Sequence, residues 1–87
     1  MVVSVAAVDG FSRIKVVGVD DEVIVDGIRL APGQSKTFRL DPEVWLQVGN
    51  ARAAHVTVDG VEYGAMGKKP EAMSWLIRQG ERPRPIS

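Results

Sequence analysis

The side chain best suited to chemistry in this sequence is a histidine. His55 is the only histidine among the 87 residues, and imidazole can act as a general base, a zinc ligand or a member of a catalytic triad. Each role needs partners, and no serine, cysteine or carboxylate stands at a spacing that identifies one. We therefore predict that His55 is a surface residue on the polar face of a strand, with a small hydrolase built around it as an alternative hypothesis.

Two further segments partly resemble ligand-binding loops. Residues 20–22 (DDE) supply carboxylates close to residues 26–27 (DG), but an EF-hand needs ligands at alternate positions and a glutamate at the twelfth. Residues 64–69 (GAMGKK) lack the spacing and the Ser or Thr of a phosphate-binding loop. The sequence therefore predicts a turn and a connecting loop, with no catalytic residue, metal site or cofactor, and no enzymatic activity.

The composition narrows the class of partner. Eleven basic and eleven acidic residues cancel, whereas a nucleic-acid-binding domain normally has a basic excess, so we predict no nucleic-acid partner. Residues 1–62 carry a net charge of −3 and residues 63–87 a net charge of +3, which is either a weak docking feature or a solvated tail. The absence of cysteine excludes disulfide frameworks and thiol catalysis.

Turn signals recur at short intervals and separate runs rich in Val, Ile and Thr. This spacing predicts an all-β fold, a small antiparallel β-sandwich (Ig-like or related) of about seven strands. Residues 1–80 are predicted to form one domain and residues 81–87 a flexible tail rich in Pro and Arg. No apolar run is long enough to span a bilayer, and residues 1–8 are predicted to form a strand rather than a signal peptide.

Residues 70–80 allow two interpretations. Pro70, Glu71 and Gly80 fit the ends of a helix. In a strand, by contrast, the apolar residues Met73, Trp75 and Ile77 would share one face. We favour a strand, because a single short helix is marginally stable without packing.

Alternation assigns strand residues to the two faces of the sheets. It directs Trp45 outward, because the neighbouring positions 44, 46 and 48 are aliphatic, and it directs Val23 inward. Exposed tryptophan in a small β-domain often binds a partner. Trp45, Arg52 and Tyr63 are therefore the predicted interaction surface, unless Trp45 covers a sheet edge or packs beneath the tail.

Several motifs, taken in their order and spacing, resemble the extracytoplasmic C-terminal domain of RodZ, a bacterial cell-shape protein linked to the cytoskeleton. They are residues 23–27 (VIVDG), 30–38 (LAPGQSKTF), 46–60 (LQVGNARAAHVTVDG) and 64–67 (GAMG). The similarity covers roughly residues 12–78. One departure is in residues 12–16 (SRIKV), where that family often has a tryptophan.

The resemblance implies a β-sandwich without a catalytic role on the outer side of the bacterial inner membrane. In that family, the domain follows a cytoplasmic helix-turn-helix domain that binds an actin-like filament protein, and a single transmembrane helix. The expected partners are therefore proteins of the cell envelope or the morphogenesis machinery, with the parent protein anchored in the membrane. A carbohydrate- or wall-binding module that uses Trp45, Tyr63 and Arg52 is the alternative.

Overall fold

The short apolar runs fold into nine β-strands within residues 1–86, the part of the chain that the computed structural model describes. In chain order they are β1 (Val2–Ala7), β2 (Ser12–Gly18), β3 (Val23–Leu30), β4 (Ser35–Arg39), β5 (Glu43–Val48), β6 (Ala54–Val58), β7 (Val61–Ala65), β8 (Met73–Arg78) and β9 (Arg84–Ile86).

The strands form two antiparallel sheets. One has the order β4-β1-β6-β7 and the other the order β3-β2-β5-β8-β9, and we call them sheet A and sheet B. The prediction of an all-β sandwich is confirmed, with nine strands where about seven were expected. No helix long and apolar enough to cross a membrane occurs in the described part of the chain.

Inward side chains of both sheets form one aliphatic core. Val5, Ile14 and Val16 have no measurable exposure. The predicted alternation holds in β5 and β6, where the inward residues are almost fully buried: Val44, Leu46, Val48, Ala54, Val56 and Val58. Burial of a single Val or Leu contributes about 1.5–3 kcal/mol, so these alternating positions account for much of the stability of so small a domain.

The inward assignment of Val23 is wrong, since this residue is 47% exposed. Val16 pairs with Val25 while Val17 pairs with Val23, so an extra residue, Ile24, bulges out of β3. The bulge reverses the alternation and places Val23 opposite the outward-facing Val17.

The predicted turn at Asp26-Gly27 is also a bulge. Ile14 pairs with Ile28 and Val16 with Val25, so the single residue between them on β2 faces two residues on β3. Gly27 has φ +70°, a conformation that costs glycine little. The chain therefore continues as one strand where the dipeptide predicted a reversal. Because β3 is an edge strand, its two bulges also make edge-to-edge pairing with another chain less favourable.

Residues 70–80 contain strand β8 rather than a helix, as favoured from the sequence, and it pairs with β5 from Val48↔Met73 to Glu43↔Arg78. Sheet B continues beyond residue 80, because Leu76 pairs with Arg84 and Ser74 with Ile86. The segment predicted as a flexible tail therefore contains a paired strand. Its last residue, Ser87, lies outside the described part of the chain.

Antiparallel pairing and short connections place the loops at two opposite ends of the sandwich. One end, which we call the basic end for reasons given below, carries residues 8–11, 31–34, 49–53 and 66–72. The other, the acidic end, carries residues 19–22, 40–42, 59–60 and 79–83.

Candidate interaction surface

Trp45 lies in the middle of the outer face of sheet B. It belongs to β5, the third of five strands, and its side chain is 42% exposed while Val44 and Leu46 on either side are 1% exposed. The outward direction predicted from alternation is therefore correct. A central position excludes the alternative that Trp45 covers a sheet edge.

The strand register extends Trp45 into a row of residues across all five strands. Trp45 pairs with Val17 on one side and with Leu76 on the other. Val17 in turn pairs with Val23, and Leu76 with Arg84. Directly paired residues share a face of the sheet, so four apolar side chains cross the outer face and end at a cation. We call Val23, Val17, Trp45 and Leu76 the apolar row.

Polar residues lie on both sides of the apolar row. On one side is the paired series Lys15, Gln47 and Ser74, which ends at Ile86. On the other side Arg78 Nε donates a hydrogen bond to Glu43 Oε1 at 3.0 Å. An apolar centre within a polar rim is the usual arrangement of a protein interface.

Arg52 is not on the sheet face that carries Trp45. It lies in the loop between β5 and β6, at the basic end. Its backbone N–H donates to the carbonyl of Lys69 at 3.2 Å, and its side chain is exposed. It lines a depression of about 280 Å³ together with Val8, Asp9, Asn50, Ala53, His55 and Pro70.

Tyr63 belongs to sheet A and is partly buried against the core. Val56 pairs with Gly64 and Thr57 with Glu62, so Tyr63 is the extra residue of a bulge in the edge strand β7. The three predicted interaction residues therefore lie on the outer face of sheet B, at one end of the sandwich and at one edge of sheet A. They do not form one surface.

His55 faces outward on sheet A, as predicted, between Ala6 and Ala65 of the neighbouring strands. Ser4 and Thr57 line a depression beside it, but Ser4 Oγ is hydrogen-bonded to Thr37 Oγ1 at 2.8 Å. Within residues 1–86, no hydrogen bond joins the His55 ring to a hydroxyl or a carboxylate. The same part of the chain contains no cluster of three His, Cys, Asp or Glu residues suited to a metal ion.

The two ends of the sandwich carry opposite charge, although the total is zero. The basic end and the adjoining strand termini have six cations and two acids: Arg13, Arg29, Lys36, Arg52, Lys68 and Lys69 against Asp9 and Glu71. The acidic end, counted with its adjoining strand termini in the same way, has eight acids and four cations: Asp20, Asp21, Glu22, Asp41, Glu43, Asp59, Glu62 and Glu81 against Arg39, Arg78, Arg82 and Arg84. The formal charges of the two ends are therefore +4 and −4, a separation that the division of the sequence at residue 62 does not show.

Sequence reasoning missed Val17 and Leu76 as surface residues. The sequence does contain a signal for them, because each is an apolar residue directly next to an inward apolar residue. Val17 follows buried Val16, and Leu76 lies between Trp75 and buried Ile77. Consecutive apolar residues in a strand place apolar groups on both faces of a sheet.

A family model of the RodZ C-terminal domain matches residues 5–74, a span that runs from β1 into β8. Among curated proteins and solved structures, none is significantly similar to the chain.

Proposed function

Because the chain belongs to the RodZ C-terminal domain family, we propose that it is a non-enzymatic protein-interaction module in bacterial cell-shape and envelope organisation. Its site of action is the extracytoplasmic side of the inner membrane, within a parent protein anchored there. Its partners are proteins of the envelope or of the morphogenesis machinery.

The observation that carries this proposal is the apolar row on sheet B. An outer sheet face in contact with water would normally alternate apolar inward and polar outward residues, yet here Val17, Trp45 and Leu76 meet side by side on the outer face. Tryptophan is enriched among residues that dominate binding energy, above all when apolar neighbours exclude water around it.

Membership of the RodZ C-terminal domain family supports a non-enzymatic role. His55 shows no hydrogen-bonded nucleophile or carboxylate within residues 1–86. Replacement of His55 by Ala should therefore leave the activity of the parent protein unchanged.

The proposal is tested in a strain whose own copy of the gene carries Trp45→Ala with Leu76→Ser. Loss of the apolar row should remove the partner contact and change cell width or length. Val61→Ala is the matched control, because Val61 is 52% exposed but lies on sheet A. If the variant with both substitutions is stably folded and normally abundant and the cells still have normal width and length, the proposal is contradicted.

A carbohydrate ligand is the alternative that the same residue allows, since a sugar ring can stack on exposed tryptophan. The separation of Arg52 and Tyr63 from Trp45 leaves that model with Trp45 alone of its three residues on the outer face of sheet B. Trp75→Phe makes Trp45 the single fluorescent tryptophan. A saturable change in its emission with cell-wall glycan fragments would favour carbohydrate binding over protein binding.

A further inference from the structure

The separation of charge between the two ends of the sandwich makes one copy of the chain complementary to another. The basic end has a net charge of +4 and the acidic end a net charge of −4. We infer that the basic end docks on the acidic end of a second copy, so that the domains associate head to tail.

The six cations of the basic end lie on neighbouring loops and strand termini and are all exposed. Arg29 and Lys36 line one depression, Arg29 and Arg13 a second with Phe11, and Arg52 a third. Asn50 lines both the second and the third depressions, so the positive surface is continuous from β4 to the loop between β5 and β6.

These cations are available to an external partner. Within residues 1–86 the ion pairs shorter than 4.0 Å join Arg78 to Glu43 and Glu81, and Arg84 to Glu81. None of them involves a cation of the basic end. Arg29 instead lies over the ring of Phe11, with Cζ 4.3 Å from the ring centroid, which keeps an exposed aromatic ring within the positive surface.

The acidic end matches this surface in charge and in apolar content. Asp20, Asp21 and Glu22 are exposed in one loop, and Val19 beside them is 62% exposed. At the basic end Phe11 is 50% and Val8 40% exposed. Each end therefore offers exposed charge around an apolar group, with the sign of the charge reversed between them.

Charge complementarity selects the head-to-tail arrangement over a symmetric dimer that joins two like ends. Two basic ends repel, as do two acidic ends, whereas unlike ends attract. A contact between different surfaces of identical chains repeats from copy to copy and produces an open array or a ring. Because exposed ion pairs are individually weak and screened by salt, the association should be weak and strongly salt-dependent.

A second copy of the chain could use both charged ends, whereas a polyanion would bind the basic end alone. The presence of both ends therefore favours a second copy as the partner. The inference also does not depend on the apolar row. Failure of head-to-tail association therefore leaves the proposed function intact, and failure of partner binding at Trp45 leaves the association intact.

The test uses two variants with one altered end each. Arg52→Glu with Lys69→Glu brings the basic end to zero, and Glu22→Lys with Asp41→Lys does the same for the acidic end. Lys15→Glu with Ser74→Glu is the control, because these residues lie in one row on the outer face of sheet B, away from the loops of both ends, and make the total charge more negative, as the basic-end variant does. Sedimentation velocity over a concentration series measures association.

The wild type and the control should associate at about 0.01 M salt, where the Debye length is about 30 Å, and dissociate at about 1 M, where it is about 3 Å. Each end variant alone should stay monomeric. Their equimolar mixture should form heterodimers, because the native basic end of one variant can dock on the native acidic end of the other. The two remaining ends are neutralised, so the association should stop at the dimer.

A wild type that is monomeric in low salt overturns the inference, as does association that persists in both end variants. A mixture that stays monomeric also overturns it. Binding of monomeric wild type to phosphatidylglycerol vesicles, lost with Arg52→Glu and Lys69→Glu and kept with Glu22→Lys and Asp41→Lys, would assign the basic end to an anionic membrane surface instead.

Discussion

Trp45 and Leu76 face each other directly across β5 and β8 on the outer face of sheet B. The pair joins two residues 31 positions apart in the sequence, and it lies at the centre of the surface to which we assign partner binding.

Coupling between Trp45 and Leu76 should be measurable in the isolated domain. Trp45→Ala and Leu76→Ala, singly and together, should give a double-mutant coupling of roughly 0.2–1 kcal/mol in the free energy of unfolding, as for other cross-strand pairs. Urea denaturation measures it. Trp45→Ala combined with Val61→Ala is the control and should be additive, because Val61 lies on the other sheet. Additivity for Trp45 and Leu76 would contradict the register.

Asp59 should be intolerant of proline. It has φ +48° at the turn between β6 and β7, its N–H donates to the carbonyl of Val2 at 2.8 Å, and its Oδ1 accepts from the Val2 N–H at 2.7 Å. Proline fixes φ near −65° and removes the donor, so Asp59→Pro should destabilise the fold by more than about 1 kcal/mol. Thermal unfolding checks this.

Asp59→Asn is the matched variant for that test. Asparagine retains a side-chain acceptor and tolerates positive φ, so its melting temperature should stay close to that of the wild type. An Asp59→Pro protein with an unchanged melting temperature would show that the turn is misplaced.

Gly67 should not tolerate substitution even by alanine. A Cβ at this position would lie 2.7 Å from Ala51 Cβ and 2.8 Å from Met73 Sδ, closer than packed atoms approach. Gly67→Ala should therefore destabilise the fold by about 1–3 kcal/mol, as other overpacking substitutions do. Gly10→Ala is the control, since its Cβ would meet the nearest atoms at 3.4 Å. Equal stability of the two variants in urea would contradict the packing of the 66–72 loop.

Asn50 should stabilise the basic end by joining two loops. Its Nδ2 donates to the carbonyl of Phe11 at 3.0 Å, and its backbone N–H donates to Ser12 Oγ at 3.3 Å. Asn50→Ala removes the first of these bonds and should cost roughly 0.5–1.5 kcal/mol. Faster amide hydrogen exchange in residues 8–12 would locate the effect, with Gln47→Ala, on the exposed face of β5, as the control. Unchanged exchange would show that the side chain does not join the loops.

The local pattern of β5 and β6 was sufficient to predict their faces. Val44 and Leu46 alternate with outward residues, as do Ala54 and Val56, and a strand rotates successive side chains to opposite faces regardless of its neighbours. The same rule failed at Val23, because the bulge at Ile24 depends on pairing with β2 and has no local signal.

The candidate surface depended on the same long-range pairing. Trp45 could be identified from β5 alone, but Val17 and Leu76 belong to strands distant in sequence, and the register places them beside it. Arg52 and Tyr63 are close to Trp45 in sequence, and the fold separates them, because the chain passes from sheet B to sheet A between positions 48 and 54.

The sequence by itself determined the all-β class, the alternating core and the family, because these depend on residue types and on their local spacing. The tertiary structure decided which residues share a surface. It brought the apolar row together from four strands, and it sorted a neutral set of charges into two opposite ends. The physical reason is that hydrogen-bond register and bulges determine which residues are neighbours across a sheet. The direction in which each strand runs determines which charges lie at the same end of the sandwich.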